Sequence, residues 1–312
     1  MMATEIKKGK ALHIRKGSMQ TVKRNKLIFY CTMVALPFLQ FVIFYLFVNL
    51  RSFALGFQEY SFEHGKYLFV GLNNFKQIFK DIKTTVTLAS SIKNSLTLFI
   101  WTFFFGSFGA VLFSYYIYKK HVGSELFKIL LYLPHILGNV VVVIMYKYFV
   151  EEVIPTVFAN DMLRLLTNPE TSRATVMFYS IYISFGTRVL VYTSAMSGIS
   201  ESIIESAQLD GITPMKELLF IVLPSIWSTF ITFMVTSVVG IFTNQMALYT
   251  FYAAEAPPAL YTFGYYLYRG AKVGTNVEYP YLAAMGLLLT AIAVPMTFLA
   301  RWGLKKLGPS RE

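Results

Sequence analysis

The polar residues with the best-defined spacing lie between Glu205 and Pro224, where E-S-A-Q-L-D-G-I-T-P-M-K-E-L-L-F-I-V-L-P separates two long apolar stretches. Their chemistry is recognition rather than bond cleavage. Glu205, Gln208 and Asp210 offer charge and hydrogen bonds to water or a protein partner, while Ile203, Ile204, Ala207 and Leu209 put apolar groups on the same short helix. Gly211 suits the left-handed position that ends a helix. Thr213 is a good N-cap and Pro214 a good first residue, so a second helix runs through Met215, Leu218, Leu219 and Phe220 until Pro224 ends or kinks it. An amphipathic linker on a membrane surface has a similar composition, but it needs neither a fixed glycine nor a fixed distance from that glycine to Leu223-Pro224.

A second set of polar residues sits inside apolar stretches, where charge and amide groups are costly and face a wet cavity or a partner helix. These are Asn139, Arg188, Asn244, Gln245 and Tyr249. Amides, hydroxyls and aromatic faces are the groups that bind sugars, and the set supplies that mixture. Each residue equally serves to join helices. Arg188 has two open readings: a buried cation bonded to helix carbonyls or a partner subunit, or a planar donor to hydroxyl pairs or a carboxylate in a solute pathway. His135, beside Pro134, reads as a structural hydrogen-bonder, and Lys147 as a side chain that snorkels to the boundary.

Catalytic patterns are missing. The sequence has no Walker A motif, no zinc-ligand cluster and no G-x-S-x-G elbow, so the chain is not expected to hydrolyse ATP, bind a metal or need a cofactor. Glu151-Glu152 reads as a solvated edge, not a catalytic pair. The single cysteine, Cys31, excludes an intrachain disulfide.

The elements that position these residues follow from composition: 55% hydrophobic residues, 17% aromatic and a mean hydropathy of +0.54 indicate an all-α, polytopic membrane protein. Six transmembrane helices are predicted, at about 27–50, 94–118, 129–150, 174–199, 226–252 and 279–300, because a crossing needs about 20 apolar residues. Together they make a six-helix transmembrane domain over 27–304, with a loop at 200–224, a basic tail at 1–26 and a second tail at 305–312. Pro37 is a candidate kink, and Gly106 and Gly109 permit close helix contact. The tyrosines between Tyr261 and Tyr268 read as an interfacial aromatic belt. Eight Lys or Arg in the first tail argue against a cleaved signal peptide, since the apolar run that follows is too long.

Charge sets the orientation. With both termini inside, the cytoplasmic segments hold 16 Lys or Arg and 7 acids, and the external loops 10 and 9. This satisfies the positive-inside rule and places Glu205–Pro224 in the cytoplasm. The net charge of +12 is therefore a matter of topology and anionic lipid, and nucleic acid is not an expected partner.

The 205–224 segment resembles the signature loop of membrane subunits of binding-protein-dependent ABC importers, whose pattern is E-A-A, three residues, G, nine residues, I-x-L-P. Glu205, Ser206, Ala207, Gly211 and Ile221-Val222-Leu223-Pro224 match it, with serine replacing the first alanine. F-V-G-L-N-N-F from Phe69, followed by Asn94-Ser95-Leu96, is similar to a stretch of sugar-type permeases. The resemblance covers most of residues 25–305 and is to the maltose and glycerol-3-phosphate group. It implies a type I ABC importer permease fold and a coupling helix in which Glu205, Ser206, Ala207, Asp210, Gly211, Leu223 and Pro224 dock on a cytoplasmic ATPase. Glu205 and Asp210 would make polar contacts, and Ala207 and Leu209 would pack. It also implies a second, homologous permease subunit and an extracytoplasmic solute-binding protein, in the cell membrane. The implied solute is an oligosaccharide. Glycerol 3-phosphate, a phosphodiester or an acidic sugar is the alternative within the class. An ion-coupled secondary transporter is the alternative outside it, opposed by the lack of Asp and Glu in all six spans.

Overall fold

The computed structural model describes residues 23–309, so most of the basic tail and the last three residues lie outside the described residues. The chain divides into two units, 1–55 and 56–312. In the first, helix α1 (Lys23–Leu55) runs unbroken through Pro37 and widens to a π turn at Phe41–Phe47. At 1.5 Å per residue it is roughly 50 Å long, more than a hydrocarbon core requires.

The second unit opens with a hairpin, β1 (Gln58–Ser61) against β2 (Lys66–Phe69), antiparallel with Gln58 opposite Phe69. Gly71, at φ +62°, turns the chain into α2 (Asn73–Thr84). Asn74 explains the paired asparagines of this stretch: its buried amide donates to the carbonyls of Gly56 at 3.1 Å and Gln58 at 2.8 Å, locking helix to hairpin.

Helix α3 (Val86–Tyr118) is long enough to cross a membrane, and a π turn at Phe104–Gly109 interrupts it. The next apolar stretch departs from expectation. Instead of one span at 129–150, α4 (Ser124–Ile136) and α5 (Asn139–Val157) meet at 111°. Pro134 deprives the Leu130 carbonyl of its helical donor, and the Tyr182 hydroxyl replaces it at 3.1 Å. Leu137 and Gly138 are then extended, so the helix restarts in a new direction.

Helix α6 (Pro169–Met196) begins where the Asn168 side chain accepts from the Glu170 N–H at 3.0 Å and proline fills the first helical position. Two short helices follow, α7 (Glu201–Leu209) and α8 (Pro214–Glu217), the latter continuing through a wide turn at Leu218–Val222 to Leu223–Ser225. The chain then forms α9 (Trp227–Thr243), α10 (Leu248–Tyr252), α11 (Phe263–Val273) and α12 (Glu278–Leu307).

Three buried clusters hold this unit together. One surrounds Tyr179, Phe251, Tyr261 and Tyr265, a second Tyr192, Val222, Phe230 and Met234, and a third Ile78, Leu88 and Met285. Tyr261 and Tyr265 are buried, so these two are not members of an interfacial belt. The Tyr265 hydroxyl donates to the Ala253 carbonyl at 2.9 Å, which satisfies its polar end inside the packing. In lipid the hydrophobic effect does not drive helices together, and small residues and interhelical hydrogen bonds take over. Gly186 shows this: a Cβ there would lie 2.9 Å from both the Leu131 carbonyl and His135 Nε2. Asn94 donates to the carbonyls of Ala259 and Tyr261 at 2.8 and 2.9 Å, and the Ser95 hydroxyl accepts from the Phe263 N–H at 3.3 Å, pinning α3 to the segment before α11.

Glu151 also differs from expectation. Its carboxylate is buried, accepting from the N–H groups of Leu166 (2.5 Å) and Thr167 (3.2 Å) and from the Thr167 hydroxyl (2.7 Å). Only Glu152 is solvated, with Arg164 at 3.3 Å. A carboxylate that gathers backbone donors fixes a loop at a point where the chain has no regular partner.

Candidate functional site

Four of the polar residues inside apolar stretches converge. Asn139, Asn244, Gln245 and Tyr249 line one chamber of about 390 Å³, closed by Tyr179, Ser180 and Ser184 of α6. Two helix breaks bring them there. Asn139 is the first residue of α5, just past the bend at Leu137-Gly138. Asn244 and Gln245 lie between α9 and α10, where Met246 (φ +50°) and Ala247 (φ +53°) take left-handed conformations. The Asn244 side chain accepts from the Met246 N–H at 2.8 Å, its carbonyl accepts from the Thr262 hydroxyl at 2.7 Å, and Gly264 packs against the same carbonyl. Irregular backbone at membrane depth persists only when bonded within protein or lining a cavity, and this break does both.

Arg188 does not line that chamber. It borders a second cavity of about 250 Å³ that shares Ser184 and Asn244 with the first. Its side chain is only 6% exposed, and its guanidinium donates to the Thr102 carbonyl (2.5 Å), the Ser107 hydroxyl (2.9 Å) and the Ser237 hydroxyl (2.9 Å). The π turn of α3 provides the seat: a Cβ on Gly106 would stand 2.6 Å from Arg188 Nη1, so only glycine leaves room. The Phe233 ring lies 5.6 Å from the guanidinium carbon. Arg188 therefore ties α3, α6 and α9 together while facing a polar cavity. Lys147 does not snorkel freely, since its ammonium donates at 2.9 Å to the Phe251 carbonyl in the last turn of α10, a favourable end for a cation. His135 Nε2 lies 3.4 Å from the Thr187 hydroxyl, a contact within the helix packing.

The 200–224 loop folds as two helices around a left-handed corner. Gly211 has φ +75°, the Ile212 N–H donates to the Ala207 carbonyl at 3.2 Å, and the Gly211 N–H to the Gln208 carbonyl at 3.0 Å, which is the Schellman pattern. No atom lies within 4 Å of a Cβ placed on Gly211, so the corner requires glycine for its backbone conformation alone. Thr213 occupies the N-cap position in extended conformation, without a side-chain bond. Glu205, Ser206 and Asp210 are exposed. Ile204 and Ala207 turn inward, while Leu209 is 89% exposed. Ala207 and Leu209 therefore do not share a packing face, since two residues in a helix span about 200°. The outward surface carries Leu209, Met215 and Phe220 beside the acids, and Leu223 and Pro224 are half-buried at the junction with α9.

Sequence reasoning missed the tie that holds this loop: Lys119, just beyond α3, contacts Glu217 at 2.5 Å, and Glu217 is buried. A pairing across 98 residues leaves no local signal. It also missed Ser184, Thr236 and Ser237, whose spacing along α6 and α9 was readable but whose facing cavity was not.

No family model matches the chain. The arabinooligosaccharides transport system permease protein AraP of Bacillus subtilis (strain 168) is 23% identical over 275 residues, 85% of each chain. A chain of a bacterial ABC transporter involved in the import of the acidic polysaccharide alginate superposes with a TM-score of 0.72 at 22% identity, over 93% of this chain and 99% of the other. The chain has the fold of an ABC importer permease. A chain of the bacterial alginate ABC transporter in complex with alginate pentasaccharide-bound periplasmic protein agrees, with a TM-score of 0.69 at 22% identity over 90% and 94% of the two chains. In this fold the first chamber lies between α6, the start of α5 and the break that leads into α10, the second between α3, α6 and α9, and the Lys119–Glu217 contact ties the α7–α8 corner to the end of α3.

Proposed function

We propose that this permease is the membrane subunit of an ATP-driven importer and moves an oligosaccharide delivered by an extracytoplasmic binding protein. ATP is hydrolysed in separate cytoplasmic subunits, a second homologous permease completes the pathway, and both termini lie inside. One observation carries the reading: the exposed α7–Gly211–α8 corner, which presents acids and apolar side chains outward while Ile204, Ala207 and Leu218 anchor it to the chain's own core. Such a corner is a rigid knob. If the ATPase dimer closes around it, the motion passes through the Lys119–Glu217 tie to α3, whose π turn holds Arg188 beside the cavities. Glu205 and Asp210 then make the polar contacts, Ser206 and Gly211 shape the knob, and Leu223-Pro224 transmit its rotation to α9. Asn139, Asn244, Gln245 and Tyr249 meet the solute, whose saccharide nature is supported by the chemistry of their chamber and by the arabinooligosaccharide and alginate assignments of the relatives.

The test is to purify the tagged chain from its native membrane in mild detergent and identify what accompanies it. An ATPase and a second membrane subunit are expected, with the ATPase lost when Glu205→Ala and Gly211→Val are combined. Recovery of the chain alone, with uptake intact in the double variant, would sink the proposal.

A further inference from the structure

The two cavities are part of a longer feature. A third cavity of about 400 Å³, lined by Ser228, Thr232, Thr236, Arg301 and Lys305, shares Thr236 with the cavity of Arg188. Since that cavity shares Ser184 and Asn244 with the first chamber, the three follow one another, two along one face of α9 and the first at the break that ends this helix. The face is marked in the sequence by Ser228, Thr232, Thr236, Gly240 and Thr243, steps of four and three that return to the same side of a helix. Thr232, Thr236 and Thr243 each donate their hydroxyl proton to the carbonyl four residues earlier, at 2.9, 2.7 and 3.2 Å. Their oxygens thus face the track as acceptors, fit for sugar hydroxyls.

Charge along the track has one sign. Arg188 stands midway, Arg301 and Lys305 at the loop end, and no Asp or Glu lines any of the three cavities. Among the described residues none of the three cations pairs with a carboxylate. Arg188 has neutral partners for three bonds from five N–H groups, so it retains donors and its whole charge within a membrane span. A buried cation without a counter-ion is stabilised by any anion that enters beside it, and a guanidinium matches a carboxylate in shape.

We infer that the solute is an acidic oligosaccharide whose carboxylates are met in turn by Arg188 and by the Arg301–Lys305 pair, while its hydroxyls donate to the stripe on α9. The inference rests on the importer reading and narrows its substrate class. Its test uses the transporter assembled with its natural partners in proteoliposomes, driven by ATP. The probes are a labelled tetramer of a 1,4-linked uronic acid and the same tetramer with its carboxyl groups reduced to hydroxymethyl. The same binding protein serves every arm, so differences between variants belong to this chain.

Uptake of the uronate tetramer is expected. Arg301→Gln with Lys305→Gln should raise its KM by about threefold to tenfold and flatten its salt dependence, with little effect on any uptake of the reduced tetramer. Arg188→Gln should lower uronate uptake by about tenfold or more, and Arg188→Lys should recover part of it. Equal wild-type uptake of the two tetramers, or variants that depress both alike, would overturn the inference and leave the importer reading standing. Variants that keep normal uronate uptake but lose co-purified anionic lipid would assign the cations to headgroups and also overturn it. No ATP-dependent uptake of either tetramer, together with no co-purifying ATPase, would remove both readings.

Discussion

Arg188 and Glu217 are buried charged residues whose burial has consequences at the scale of a single side chain. Gly106 exists to admit the Arg188 guanidinium, so Gly106→Ala should destabilise the solubilised protein by about 1–3 kcal/mol, the usual penalty for overpacking. Adding Arg188→Gln should give less than the sum of the two losses, because both changes act on one contact. Thermal unfolding of the four proteins in detergent measures this, and strict additivity would mean that the glycine serves something else. Glu217→Gln leaves Lys119 facing a neutral amide. Because Lys119 keeps some water contact, the expected cost is roughly 2 kcal/mol, less than for a fully buried pair. The loop should become sensitive to limited proteolysis, and Lys119→Gln in addition should restore part of the protection.

At the scale of elements, breaks matter more than the helices they interrupt. The α7–α8 corner depends on a left-handed residue, so Gly211→Val costs about 1–2 kcal/mol locally and distorts the knob, whereas Gly211→Asn tolerates the conformation. The valine variant should assemble and hydrolyse ATP with little uptake, and the asparagine variant should retain most of it. Normal uptake by the valine variant would show that corner geometry is not what couples the two. Asn94 pins another break, where its amide satisfies two carbonyls of the short 3-10 turn at Pro258–Leu260 and its C-cap. Asn94→Ala should therefore cost about 2 kcal/mol or more. Faster hydrogen exchange confined to residues 256–263 would be its signature.

Across the whole molecule the question is orientation. Cys31 is the only cysteine, so a Cys31→Ser background permits single-site labelling. Asp161→Cys, in an exposed turn between α5 and α6, should react with a membrane-impermeant maleimide in intact cells, and Asp210→Cys only after lysis. The reverse pattern would invert the topology and remove the coupling role of the loop.

Composition, span lengths and the spacing from Glu205 to Pro224 were enough for the helical membrane class, the corner at Gly211 and the polar residues worth following. These are properties of residue type and of periodicity along one helix, which local physics sets. What tertiary structure decided is where distant segments meet. The bend at Pro134–Gly138 and the break at Asn244–Ala247 carry Asn139, Asn244, Gln245 and Tyr249 to one chamber, although they are far apart in the chain. By sequence Glu151 reads as a solvated edge and the tyrosines at 261 and 265 as an interfacial belt, yet the loops fold inward, bury all three and supply Glu151 and Tyr265 with backbone partners. Arg188 was ambiguous in the sequence because its surroundings come from three helices. Only their packing shows that it is held by its own chain and borders a cavity at once.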